Sequence, residues 1–137
     1  MRARIYVCHT FYHVYVACLK ELNLPKEERG KADLVLSTMS CDFGNLSGRL
    51  AASGLFGKVF IFEEQEESRV PGLAKYHKDR RNIVLNMLAR MVFCKKLGAA
   101  QEAYVPVDFR QYRDIYVFFD TDPYGYYLGW KKISYHA

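Results

Sequence analysis

The chain has no apolar run approaching the roughly 20 residues that a membrane-spanning helix needs. Its basic-then-apolar opening, "MRARIYVCHTFYHVYVACLKEL", imitates a secretory leader only faintly. His9, Thr10 and His13 interrupt it, and no small-x-small cleavage site follows. It reads as folded structure. Cys8, Cys18, Cys41 and Cys94 show neither a CxxC pair nor zinc-ligand spacing. Three of them sit inside apolar patterns, where cysteine behaves as a small hydrophobe, so a reduced, cytoplasmic setting is the simple expectation. "GNLSGR" has glycines but neither GxGxxG nor the lysine of a phosphate loop, which leaves a dinucleotide or phosphate-loop site without support. Internal repeats, low-complexity tracts and the signatures of RNA- or DNA-binding modules are missing as well, so no nucleic-acid partner is expected.

What is present is half apolar and rich in aromatics, with 11 Tyr and 9 Phe, a composition that excludes disorder. At 137 residues the chain reads as one domain, 1–137, able to bury a core. "RIYVC" (4–8), "DLVLST" (33–38), "KVFIF" (58–62) and "DIYVFF" (114–119) are short apolar runs suited to buried strands. "KISYHA" looks like a fifth strand just beginning. Between the strands lie helical patterns. The first is capped by Thr10 and striped by Phe11, Val14, Tyr15, Cys18, Leu19 and Leu22. A short one ends at Gly54, followed by Leu55 as its apolar contact. A longer one between Leu73 and Lys96 is striped by Val84, Met87, Leu88, Met91 and Val92. A last one starts at Asp122 or Pro123. Apolar strands alternating with helices predict an α/β fold, a Rossmann-like parallel sheet with helices on both faces.

In such sheets ligands bind beyond the carboxyl ends of the strands. That rule nominates "HTFYH", with His9, Thr10, Tyr12 and His13. It also nominates "STMSCDFGN", with Asp42 and Asn45, and "DTDPYG", with Asp120, Asp122 and Tyr124. His9 is suited to bind an anionic or hydroxylated ligand or to act as acid or base, or else to be satisfied by a backbone carbonyl. Asp120 and Asp122 form an Asp-x-Asp, the pattern with which many sugar transferases hold a divalent cation. Pro123 directly after the second Asp is instead a helix-start signal, with the carboxylate accepting from free N–H groups. The capping reading is the stronger, and no metal is expected.

Charges are segregated along a chain of net charge +5. "EEQEE" is acidic, whereas residues 75–96 hold Lys75, Lys78, Arg80, Arg81, Arg90, Lys95 and Lys96 against Asp79 alone. Such a run is either a solvated face or a surface for an anionic partner, an anionic membrane among them.

Three stretches, "IYVCHTFYHVYVACLKEL", "SGLFGKVFIF" and "FFDTDPYGYYLGWKKISYHA", together resemble the N-terminal half of bacterial glycosyltransferases of the lipooligosaccharide sialyltransferase group. That group is glycosyltransferase family 52 with its capsule and polysialic-acid relatives. The resemblance implies a GT-B architecture of two Rossmann-like halves facing across a cleft. It implies metal-independent transfer from a nucleotide-sugar donor such as CMP-sialic acid to a glycan or glycolipid acceptor. It also implies a cytoplasmic site of action, peripheral at the inner membrane. In that family the strand matching "KISYHA" continues into a Glu-Asp-Gly-type motif carrying the catalytic base, and a later His-Pro motif holds the cytidine nucleotide. Both lie beyond Ala137, so the catalytic residues are expected there. The chain is then expected to be the acceptor-side part of a longer enzyme, inactive alone, with uncovered apolar surface near its last strand and a tendency to form homodimers. The competing expectation is a stand-alone α/β module that binds a small molecule or anion without catalysis.

Overall fold

A computed structural model describes residues 2–39, 42–118 and 122–136. The strands Arg2–Cys8 (β1), Ala32–Ser37 (β2), Val59–Phe62 (β3) and Tyr112–Val117 (β4) alternate with the helices Phe11–Leu22 (α1), Leu46–Ala52 (α2), Ile83–Ala100 (α3) and Pro123–Trp130 (α4). All strand pairs are parallel and the order is β3-β2-β1-β4, so the fold is α/β and Rossmann-like, as the alternation implied. The chain divides into two compact units. One comprises Met1–Glu63, Val105–Phe118 and Tyr135–Ala137 and holds the sheet with α1 and α2. The other comprises Glu64–Tyr104 and Phe119–Ser134 and holds α3 and α4.

In the first unit, Tyr6 and Cys8 of β1 and Leu34 and Leu36 of β2 pack with Val14 and Ala17 of α1, Leu50 of α2, and Phe43 and Phe56. On the opposite face Ile5, Val7, Val35, Ile115 and Val117 are buried too. Strands buried on both faces explain why the sequence shows apolar runs rather than alternation. The start of a fifth strand is in place: His136 bridges Tyr116 in parallel, its N–H donating to the Ile115 carbonyl at 2.7 Å and its carbonyl accepting from Val117 N–H at 2.8 Å. Gly54 closes α2 at φ +77°, the left-handed conformation expected of it, and Leu55 packs on the core beside it.

A buried ion pair sets the phase of α1. Arg4 Nε and Nη2 donate to the two carboxylate oxygens of Glu21 at 3.1 and 3.0 Å, Tyr6 Oη donates to Glu21 Oε2 at 2.7 Å, and Arg4 Nη2 also reaches the Glu28 carbonyl at 2.7 Å. With Glu21 turned inward, the buried face of the helix is His13, Val14, Ala17 and Glu21. The stripe counted from the sequence is therefore displaced: Phe11, Tyr15, Leu19 and Leu22 are exposed. Pattern counting treats a glutamate as outward, and here a bidentate partner reverses that.

The second unit shows the same kind of displacement. The face of α3 turned inward is Ala89, Phe93, Leu97 and Gly98, while Val84, Met87, Leu88, Met91 and Val92 face outward. Near its C-terminal end α3 is crossed by α4 so closely that a Cβ at Gly98 would lie 2.5 Å from the backbone carbonyl of Tyr126. Gln101, fully buried, ties the end of α3 to the loop after β3 by exchanging hydrogen bonds with the backbone of Gln65 at 2.7 and 2.9 Å.

Glu21→Leu strands the Arg4 charge, and urea denaturation should show a loss of about 3–5 kcal/mol. The double variant Arg4→Met/Glu21→Leu should recover most of it. A single variant as stable as the parent would mean that the pair does not hold the helix.

Candidate functional site

The order β3-β2-β1-β4 places β2 on one side of β1 and β4 on the other, so the strand order reverses between β1 and β4. In open parallel sheets, ligands bind beyond the carboxyl ends of the strands at such a point. The residues at those ends are the turn His9–Thr10 after β1 and Phe118 after β4.

The turn is built from reciprocal hydrogen bonds. Thr10, extended at φ −134° and ψ 164°, is the N-cap of α1, and its Oγ1 accepts from His13 N–H at 3.2 Å. His13, three residues into the helix, sends its Nδ1 back to accept the His9 N–H at 3.0 Å. This is a capping box in which histidine stands where glutamate is usual, reaching one residue further back. The His13 ring also lies flat on Phe118, centroids 4.3 Å apart with an interplanar angle of 3°, joining the ends of β1 and β4. His9 and His13 are both buried. Burial, and secondarily the neighbouring His9, hold the His13 pKa below the ordinary value of 6.5. The geometry agrees, since an Nδ1 that accepts a backbone N–H must keep its lone pair, leaving the neutral ring with its proton on Nε2. Cys8, at the end of β1, is fully buried, and burial pushes its thiol well above the usual range, so it is no nucleophile.

Of the four candidates in this turn, Tyr12 alone presents most of its side chain to solvent, at 69% exposure. The loop after β2 adjoins the turn through Phe11 and Phe43, whose rings meet edge to face at 5.2 Å. In that loop Asp42 is exposed and its Oδ1 accepts Gly44 N–H at 2.9 Å, while Asn45 occupies the N-cap position of α2 without making a side-chain capping bond. The structure thus gathers His9, Thr10, Tyr12 and His13 in one turn, with Asp42 and Asn45 in the neighbouring loop.

No family model, curated protein or solved structure matches this chain.

The remaining candidates belong to the second unit or lie outside the described residues, as Asp120 does. Asp122 stands at the N-cap position of α4 with Pro123 after it, as expected. The expected capping bond is corrected, however: the Asp122 side chain makes none, and the carboxylate that accepts the Tyr124 N–H, at 2.7 Å, is that of the buried Glu64. Proline at the first helical position removes one donor, and Glu64 takes the next from outside the segment. The Tyr124 ring is fully buried and serves the core. Among the described residues no cluster of His, Cys, Asp and Glu has the makeup of a metal site. A surface depression of about 490 Å³ in the second unit is lined by Glu66, Glu67, Ser68, Val70, Gly72, Leu73 and Ala74, none of them a strand-end candidate.

Sequence reading missed Glu64 because it sits in an acidic run that looks solvated. It missed Asp33 for a related reason: this buried carboxylate accepts Tyr112 Oη at 2.5 Å and Lys58 N–H at 2.9 Å, across strands far apart in sequence. It also missed the capping role of His13, for which a side-chain acceptor three residues after an N-cap threonine was the available signal.

His13 gives the fold a pH dependence whose sign follows from its depressed pKa. Its contribution is intact above the unfolded value of 6.5 and is lost as the pH falls below it, because the unfolded chain takes the proton first. Urea midpoints measured between about pH 7.5 and pH 5.5 should fall with acidification. His13→Gln should flatten that fall, and an unchanged slope in the variant would remove His13 as its source.

Proposed function

We propose that this chain is the acceptor-side domain of a glycosyltransferase, sialyltransferase-like and metal-independent, acting on cell-surface glycans such as lipooligosaccharide or capsule. The observation that carries the proposal is the reversal of strand order between β1 and β4, with the turn His9–His13 at that point. A crevice in this position suits a ligand at the strand ends. The three stretches that resemble family 52 glycosyltransferases begin with β1 and α1, include β3, and close with the end of β4, α4 and the beginning of the fifth strand.

On this reading the residues do different work. The capped turn supplies a rigid wall, because Thr10 accepts the His13 N–H and His13 accepts the His9 N–H. Tyr12, exposed beside it, offers an aromatic face and a hydroxyl to a sugar. Asp42 and Asn45, in the adjoining loop, offer hydrogen bonds to acceptor hydroxyls. The resemblance assigns the catalytic base to a Glu-Asp-Gly-type motif and the cytidine-nucleotide contacts to a His-Pro motif, neither of which is among these 137 residues.

The test is the product of the complete reading frame, assayed for transfer from CMP-sialic acid and other nucleotide sugars to lipooligosaccharide-derived acceptors with EDTA present. Transfer should persist in EDTA. Tyr12→Ala should raise the acceptor KM roughly tenfold, the equivalent of about 1.4 kcal/mol, and leave the Tm in place. No transfer from any donor would favour the non-catalytic binding module instead.

A further inference from the structure

The outward face of α3 combines two properties that rarely share one helix. Ile83, Val84, Leu85, Met87, Leu88, Met91 and Val92 are all exposed, Ile83 at 79% and Met91 at 65%. At about 100° per residue they fall within one arc of roughly 200° on the first three turns. Arg90 and Lys96 lie about 20° outside the two edges of that arc, and Lys95 closes it at the C-terminal end. Both flanking cations are held in place. Arg90 stacks on Phe93 at 4.8 Å and donates to Tyr126 Oη at 3.0 Å, and Lys96 lies over the Tyr76 ring at 5.3 Å, with Lys75 over the same ring at 5.2 Å. The helix contains no Asp or Glu. The nearest acid before it, Asp79, already accepts from Arg81 N–H and Asn86 Nδ2.

We propose that this face of α3 seats the protein on an anionic lipid surface, with the aliphatic arc entering the headgroup–acyl boundary and Arg90, Lys95 and Lys96 meeting lipid phosphates. Charge decides the occupant. A second copy docked through the same face would bring Arg90, Lys95 and Lys96 of both chains together with no carboxylate on either helix to compensate. An apolar face edged by Lys and Arg is the form an interfacial helix takes. Among the described residues no helix is long and apolar enough to cross a membrane, so the contact is a peripheral one. The inference belongs to the second unit and does not depend on the proposed sugar transfer.

Co-sedimentation of the chain with phosphatidylcholine vesicles, with and without about 30 mol% phosphatidylglycerol, tests it. Binding should require the anionic lipid and weaken as salt rises from about 0.05 to 0.5 M. Lys95→Gln and Lys96→Gln should each lower partitioning roughly fivefold. Met87→Glu/Met91→Glu should abolish it with the circular dichroism spectrum unchanged. Equal binding to neutral vesicles, no binding to anionic ones, or undiminished binding by the Glu variant would overturn the proposal. So would concentration-dependent dimers that Met91→Glu dissolves, which would assign the face to a second copy.

Discussion

The fork between Arg4 and Glu21 joins the first residues of β1 to the last turn of α1, and most of the first unit's arrangement follows from it. A charge pair this deeply buried is costly to form, and its stability relative to an apolar alternative is modest. Its effect is on orientation. Held by two bonds to Arg4 and a third from Tyr6, Glu21 permits only one rotation of α1 about its axis. That rotation puts Val14 and Ala17 into the core and turns His13 toward the end of β4, where its ring meets Phe118. The turn at the other end of the helix is therefore positioned from a distance of three helical turns. Tyr6 extends the same network sideways by stacking on Tyr116, which stacks in turn on His136 of the incipient fifth strand.

The strand ends inherit this rigidity. A reversal of strand order opens a crevice wherever it occurs, but the residues lining it need to be fixed if they are to discriminate between ligands. Here the fixing uses groups that would otherwise be taken for catalysts. His13 holds the backbone of His9, Thr10 holds the backbone of His13, and Phe118 holds the ring of His13. Exposed Tyr12 is then presented from a scaffold with little freedom. On the proposed reading, His9, Thr10 and His13 would shape the acceptor's surroundings and Tyr12 would meet the acceptor itself.

Much of the fold was legible in the sequence for a plain reason: β1 and β2 are buried on both faces, the strands read as short apolar runs, and Thr10, Gly54 and Pro123 mark helix ends by local chemistry. The helix faces were not legible. In α1 the inward positions include Glu21 and His13, whose partners are 17 residues away in one case and backbone in the other. In α3 the inward positions include Ala89 and Gly98, and at Gly98 α4 crosses too closely for a side chain. Hydrophobic counting finds the large apolar residues, and on both helices many of these point outward. At the strand ends, the sequence located the turn after β1 but not the capping role of His13, since a buried acceptor and a ligand-binding histidine look alike in one dimension.

The measurement that reaches the central claim most directly is a two-dimensional NMR titration of the 15N-labelled chain with a lipooligosaccharide-derived acceptor oligosaccharide. Acceptor-side binding at the β1–β4 strand ends expects amide shifts concentrated at Thr10, Tyr12 and His13, in the adjoining loop at Asp42 and Asn45, and at Phe118. Shifts confined to the acidic depression between Glu66 and Ala74, or an unchanged spectrum at saturating oligosaccharide, would contradict it.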